Sequence, residues 1–205
     1  MKIKVITLKQ PWAELVILGA KKIETRDWKP SPKMWKEINS AGGDLYIHAS
    51  KTFHYDDWEL CKSNKYFKNA IPDPSKLLMG AIIGKVKLVG FRSTNEMGVM
   101  HGIHAQEKSF GNYSADRWLW YLTKPERLAR PIETNGSLSI WDYDLIFPVG
   151  CSVEFELEGK GKSEIIPGTV EKYADGEYSI KTFFGTTYKV KADKVFELRM
   201  EVVNG

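Results

Sequence analysis

The sequence predicts an α+β protein in two parts: a mixed strand-and-helix unit over residues 1–150, then a small all-β, barrel-like module over residues 151–205. Three observations carry this division. Short runs with period-two alternation recur along the chain and are broken by only two helical stretches. Residues 1–150 hold 22 Lys/Arg against 16 Asp/Glu, a balance of +6, whereas residues 151–205 hold 8 against 10, a balance of −2. All seven tryptophans lie between Trp12 and Trp141. Charge and aromatic content thus shift together near Pro148-Val149-Gly150, where a boundary is expected.

The first strand is predicted over Lys2 to Leu8, with Ile3, Val5 and Thr7 on one face. A short helix follows, because Pro11 suits a first helical position and Gly19 suits the residue past the end. Lys21 to Arg26 reads as a second strand with Lys22, Glu24 and Arg26 on one face and Ile23 and Thr25 on the other. Trp28 to Gly43 reads as irregular, being punctuated by Pro30, Pro32 and Gly42-Gly43. In the strand Asp44 to Lys51, alternation directs Leu45, Ile47 and Ala49 to the core and Tyr46, His48 and Ser50 away from it. A helix over Asp56 to Lys68 is closed by Pro72 and Pro74. Gly80 to Phe91 is the next strand, and Arg92 to Asp116 a long connection of the kind that often carries function. Trp118 to Leu122 is an aromatic strand, Lys124-Pro125 a turn, and Gly136 to Asp144 the closing strand. Behind the boundary, Val153–Glu158, Gly168–Tyr173, Glu177–Phe183, Thr186–Val190 and Val195–Val202 alternate. Asp175-Gly176 is a strong hairpin turn, and the spacing argues for a small five-stranded barrel.

The net charge of +4 is compatible with a nucleic-acid partner, since neutralising phosphates releases counterions. It is equally ordinary for an enzyme. No apolar run approaches a membrane span, Leu15 to Leu18 is too short for a signal-peptide core, and a cytoplasmic location is expected. Cys61 and Cys151 lack zinc or redox spacing and should be reduced thiols. His101 with His104, and His48 with His54, lack the further ligands of a metal site. Gly159-Lys160-Gly161 precedes no helix and is no phosphate loop. No cofactor is expected.

The most informative run is Gly19-Ala20-Lys21-Lys22-Ile23-Glu24-Thr25-Arg26. Lys21 and Arg26 could hold a phosphate while Glu24 orients the arginine or takes a proton. The same pattern also fits a solvated strand face with a cross-strand ion pair. Tyr46, His48, Ser50 and Lys51 form a second group: Lys51 could stabilise a phosphorane while Tyr46 or His48 moves a proton, or the group could be a polar rim. Ser137 and Ser139 could add hydrogen bonds. Trp12, Trp28, Trp118, Trp120 and Trp141 include candidates for base stacking, with Trp28 favoured because it shares the face of Glu24 and Arg26. In the tail, Tyr173, Tyr178, Phe183, Phe184 and Tyr188 either form an aromatic cage, as in the Tudor-like barrels this segment faintly resembles, or fill a small core.

Gln10-Pro11-Trp12-Ala13 followed by the G-x-K-x-x-E-x-R spacing of Gly19, Lys21, Glu24 and Arg26 resembles the signature of ASCH domains. Leu45 to Lys51, Gly80 to Gly84, and Trp118 to Leu122 with Gly136 to Trp141 agree in order, so the resemblance covers about residues 3–145. It implies a PUA-like small mixed β-barrel with flanking helices, and a cleft lined by the signature. It further implies an RNA or nucleotide partner, and the residue pattern read above then gives the nucleic-acid contacts as Lys21, Arg26, Trp28, Lys51, Ser137 and Ser139. Some members of the family deacylate N4-acetylcytidine, and others are linked to RNA cleavage, so catalysis by Lys21, Glu24, Tyr46 and Lys51 is the alternative. In deacylating members a lysine and a threonine act with a later glutamate. Here Glu24 stands at the threonine's place, Thr25 is one residue off and faces the other way, and the later glutamate could be Glu96 or Glu107. A protein partner for the C-terminal module is a further expectation.

Overall fold

The computed structural model describes residues 2–71, 73–147, 149–158 and 163–197. Pro148 at the expected boundary, Pro72, the Gly159-Lys160-Gly161 run and residues 198–202 of the last expected strand lie outside the described residues. The chain forms two compact units, Lys4–Asp142 and Met1–Ile3 with Tyr143–Gly205.

The first part runs β1 (Lys2–Leu8), α1 (Trp12–Ile17), β2 (Ile23–Arg26), α2 (Pro32–Ser40), β3 (Asp44–Ala49), α3 (Tyr55–Ser63), α4 (Lys65–Ala70), β4 (Ala81–Ser93), α5 (Ala105–Ser109), β5 (Trp118–Glu133) and β6 (Ile140–Asp144). Six strands form one sheet in the order β2-β5-β4-β3-β1-β6. β1 and β3 are parallel, with Leu8 opposite Ala49, and the neighbours of β4 are antiparallel. No pairing among the described residues closes the sheet into a barrel, since β2 and β6 stand at its edges. The core gathers Ile6, Leu8, Val16, Leu45, Ile47, Ile83, Val86 and Trp120.

Where the elements differ from expectation, local chemistry gives the reason. The stretch read as irregular contains α2, because Ser31 caps it by accepting the Met34 N–H at 3.2 Å and Pro32 occupies the first turn, where its missing N–H is harmless. The helix expected over 56–68 is broken at Asn64, which is extended and caps α4 through the Tyr66 N–H. β5 runs through Pro125 rather than turning there. Its register slips between Lys87–Thr123 and Lys85–Glu126, so Pro125 sits in a bulge where no ladder N–H is needed. β6 begins at Ile140, leaving Asn135–Ser139 as a loop with Ser139 at φ +62°. Alternation predicts a polar face for Tyr46 and His48, yet both are buried, because β3 lies inside the sheet and both of its faces are covered.

The second part comprises β7 (Ser152–Glu158), β8 (Ser163–Ala174), β9 (Glu177–Lys181), β10 (Thr187–Lys191) and β11 (Val195–Glu197), in the order β10-β9-β8-β7-β11. Asp175 and Gly176 both take positive φ, as a type I′ hairpin turn requires. Val153, Phe155, Val170, Tyr178 and Ile180 are buried, and the Tyr178 hydroxyl accepts the Phe147 N–H at 2.9 Å.

Gly84 tests the packing of β4 against β5 and α1. A Cβ there would lie 2.4 Å from the Glu126 carbonyl and 2.6 Å from Ile17 Cδ1, whereas one at Gly90 meets nothing within 4 Å. Gly84→Ala is expected to destabilise by about 2 kcal/mol or more, and Gly90→Ala to be near neutral, in urea unfolding followed by tryptophan fluorescence.

Candidate functional site

A cavity of about 460 Å³ lies at the carboxyl ends of β1 and β3, and the signature strand borders it. Its walls include Thr7 to Lys9, Trp12 at the start of α1, Glu24 to Arg26 of β2 with Asp27 just after it, Ser50, Arg117 and the loop residues Ser137 to Ser139.

One wall is β2, whose signature residues form an ion cluster. Lys21 is 1% exposed; its ammonium donates to the Ile23 carbonyl at 2.5 Å and lies 3.6 Å from Glu24 Oε2. The other Glu24 oxygen stands 3.0 Å from Arg26 Nε, an ion pair without an aligned N–H···O bond. Arg26 Nη2 donates to the Thr7 carbonyl at 3.2 Å. Glu24, 12% exposed, therefore bridges a buried lysine and a cavity-lining arginine. The edge of β2 is completed from the long connection: Glu107 of α5 accepts the N–H groups of Lys22 and Ile23 at 2.9 and 3.0 Å, and the Tyr113 hydroxyl at 3.2 Å. Burial and the Glu107 charge push the Tyr113 phenol well above its ordinary range.

The opposite wall is the 135–139 loop. Thr7 Oγ1 accepts the Ser137 N–H and the Trp141 indole N–H, each at 3.2 Å. His48, 1% exposed, lies beneath, and its Nε2 donates to the Thr134 carbonyl at 3.2 Å. Its Nδ1 has no partner among the described residues. Burial, aided by the Lys51 charge, lowers the His48 pKa from its ordinary 6.5, so the neutral ring is favoured.

The structure thus brings Glu24, Arg26, Ser137 and Ser139 around one cavity. Lys21 underlies it without lining it. Lys51 donates to Asn135 at 2.6 Å and lines a separate, more open depression with Met79, Gly80 and Glu133 to Asn135. Tyr46 is buried with the Lys85 ammonium 5.9 Å from its ring centre, and lines neither. Trp28 packs edge-on against Trp120 at 4.7 Å and joins the core, so the aromatic wall of the cavity is Trp12 instead. Thr25 Oγ1 accepts the Asn112 N–H at 3.2 Å. Glu96 accepts the Ser93 N–H, away from the cavity. Arg117 and Lys9 were not singled out by sequence reasoning: each is one basic residue among many, and nothing in the local pattern aims them at the signature. Among the described residues, no group of three or more His, Cys, Asp or Glu could hold a metal ion, and no helix is long and apolar enough to cross a membrane. Cys61 is buried, which raises its thiol pKa to about 11, and neither Cys61 nor Cys151 forms a disulfide.

A domain with this signature at the cavity wall is matched by the family model described as the ASCH domain, over residues 6–132. The chain belongs to that family. Among solved structures it is similar to the crystal structure of ASCH from Zymomonas mobilis, at 16% identity over 63% of this chain and 72% of that one, with a TM-score of 0.35. Two point mutants of the Zymomonas mobilis protein match likewise at 16% identity and 0.35, one over the same shares and the other over 65% and 76%. No curated protein matches.

The ion cluster makes an asymmetric prediction. Glu24→Gln strands the buried Lys21 ammonium and is expected to lower stability by about 3 kcal/mol, whereas Lys21→Met leaves Glu24 paired with Arg26 and should be near neutral in urea unfolding. His48 gives a pH dependence. Its folded pKa lies below the unfolded value, so the unfolded chain binds the extra proton, and the stabilisation is complete above about pH 6.5 and is lost as pH falls below it. The stability difference between wild type and His48→Gln should therefore shrink between pH 7 and pH 5; a difference constant over that range would refute the assignment.

Proposed function

We propose that this ASCH domain binds RNA or a nucleotide in the cavity bounded by Arg26, Trp12 and the two serines. The observation that carries the reading is the convergence of Arg26, Arg117 and Lys9 with the hydroxyls of Ser50, Ser137 and Ser139 and the indole of Trp12 around one 460 Å³ space. Cations suit phosphates, hydroxyls suit sugar and base edges, and an indole face accepts a stacked base. The family supports the same reading, being generally RNA-binding and PUA-like. In this reading Lys21 acts through Glu24 rather than on the ligand, and Lys51 continues the basic track in the neighbouring depression. The domain ends near residue 150, and the five-stranded module behind it engages a protein partner. The protein works in the cytoplasm, where RNA and reduced thiols coexist.

Hydrolysis in the same cavity is the second reading, favoured by one observation: the Glu24 carboxylate lines the cavity and could activate water. It would make the protein an RNA nuclease or an amidohydrolase of modified cytidine. A single assay separates the two, following retention and cleavage of labelled single-stranded RNA with and without chelator.

Trp12→Ala is expected to weaken RNA binding by about 1–3 kcal/mol. Arg26→Ala should weaken it while flattening the salt dependence by about one unit of slope. Lys68→Ala, on an exposed helix away from the cavity, changes net charge equally and should do neither. Equal binding by all four proteins across a salt titration refutes the proposal.

A further inference from the structure

The cavity is bordered by Lys9, Arg26 and Arg117 against Glu24 and Asp27, and of its two arginines only Arg26 is paired with a carboxylate. Lys21 and Arg26 share the Glu24 carboxylate. Arg117, just before β5, is half-buried and donates one hydrogen bond, from Nη2 to the Thr25 carbonyl at 3.0 Å. It has no acidic partner among the described residues, and its Nε–H is buried without an acceptor. A guanidinium presents five N–H donors in a fixed fork and stays charged at any ordinary pH. One that is partly desolvated and satisfied by a single carbonyl is costly unless something anionic completes it.

The surroundings define the missing partner. Arg117 and Arg26 border the same cavity from adjacent strands, and each is fixed by a strand carbonyl, Thr25 for one and Thr7 for the other. Their forks are thereby oriented before a ligand arrives, which suits a planar or tetrahedral oxyanion taken by two donors at once. Ser137 and Ser139 face the same space with hydroxyls that donate to such oxygens. Resting on the RNA- or nucleotide-binding reading above, we propose that Arg117 is the principal phosphate-binding residue of the site. The ligand recognised is then a phosphate-bearing nucleotide, held by a backbone phosphodiester or a terminal phosphate, and not a free nucleoside.

The test measures binding of the full chain to a mixed-sequence single-stranded RNA octamer, with a 5′-hydroxyl or a 5′-phosphate, over a range of salt. Arg117→Gln is expected to weaken binding at least about tenfold and to lower the salt slope by about one. Loss for both octamers identifies a backbone phosphodiester, and loss for the phosphorylated one alone identifies the terminal phosphate. Arg117→Lys keeps a donor for the Thr25 carbonyl and keeps the charge, so it serves if the glutamine variant does not fold. It should bind several-fold more weakly than wild type with the slope retained, because an ammonium cannot serve the carbonyl and a phosphate as a fork does. Wild-type affinity in either variant while Arg26→Ala is impaired overturns the role of Arg117 and leaves the RNA reading intact. Failure of the wild-type chain to bind either octamer overturns both.

Discussion

The carboxylate of Glu24 is the group on which the site depends. An ammonium as buried as that of Lys21 is tolerated only with an opposite charge at hand and hydrogen bonds to fill its remaining donors. Glu24 Oε2 and the Ile23 carbonyl supply these, and both belong to the short edge strand β2. The same carboxylate turns its second oxygen to Arg26, so the charge that makes Lys21 tolerable also orients the cation facing the cavity. The strand's own pairing does the rest. Register between β2 and β5, with Thr25 opposite Leu119 and Arg26 opposite Trp118, brings the Thr25 carbonyl within reach of Arg117. Fold and electrostatics are here one arrangement.

An edge strand of four residues needs support, and it comes from the connection between β4 and β5. Glu107 accepts the N–H groups of Lys22 and Ile23 where the chain enters β2, so a carboxylate covers the start of this sheet edge without another strand. Asn112 bonds Thr25 Oγ1 further along, and Gly111 lies so close that a Cβ there would sit 3.2 Å from that oxygen and 3.3 Å from Lys21 Nζ. The long connection thus owes its order to the strand it covers.

Much of this was legible in the sequence, and what was not has separate physical causes. Elements written by local chemistry were readable: the alternating strand before Gln10, the glycine stop at Gly19, the Asp175-Gly176 hairpin and the signature from Gly19 to Arg26. Of the residues assigned to the site, Glu24, Arg26, Ser137 and Ser139 meet at the cavity. Tyr46 does not, because alternation says which side of a strand a residue takes but not whether that side is covered; Lys51 lies exposed beyond β3 and bonds Asn135 instead, and Trp28 lies past β2 and packs on Trp120. β3 is interior, so its polar-looking face is as buried as its apolar one. Arg117 was invisible because its partner, a backbone carbonyl 92 residues away, leaves no trace in side-chain pattern. In the tail the aromatics divide by the same logic: Tyr178 is core on a strand, whereas Phe183 and Phe184, at 96% and 91% exposure, flank the Gly185 turn and leave the sheet.

The two walls of the cavity are held to different standards. β2 is fixed by a ladder, an ion cluster and a carboxylate cap. The Asn135–Ser139 loop has no ladder and is held by side chains: Thr7 Oγ1 takes the Ser137 N–H, the Lys51 ammonium donates to Asn135 Oδ1, and His48 donates to the carbonyl of Thr134 just before it. Gly136 lies between them so tightly that a Cβ would fall 2.7 Å from the His48 ring and 2.8 Å from Thr7 Oγ1, which fixes the base of the loop by steric exclusion as much as by bonding. Beyond that base the loop is open, with Leu138 almost wholly exposed. Thr7 joins the two walls, since its carbonyl receives Arg26 and its hydroxyl receives Ser137. The distance between the cationic and hydroxyl-bearing sides of the cavity is therefore set by a single residue of β1, and β1 is held in register by its parallel pairing with β3.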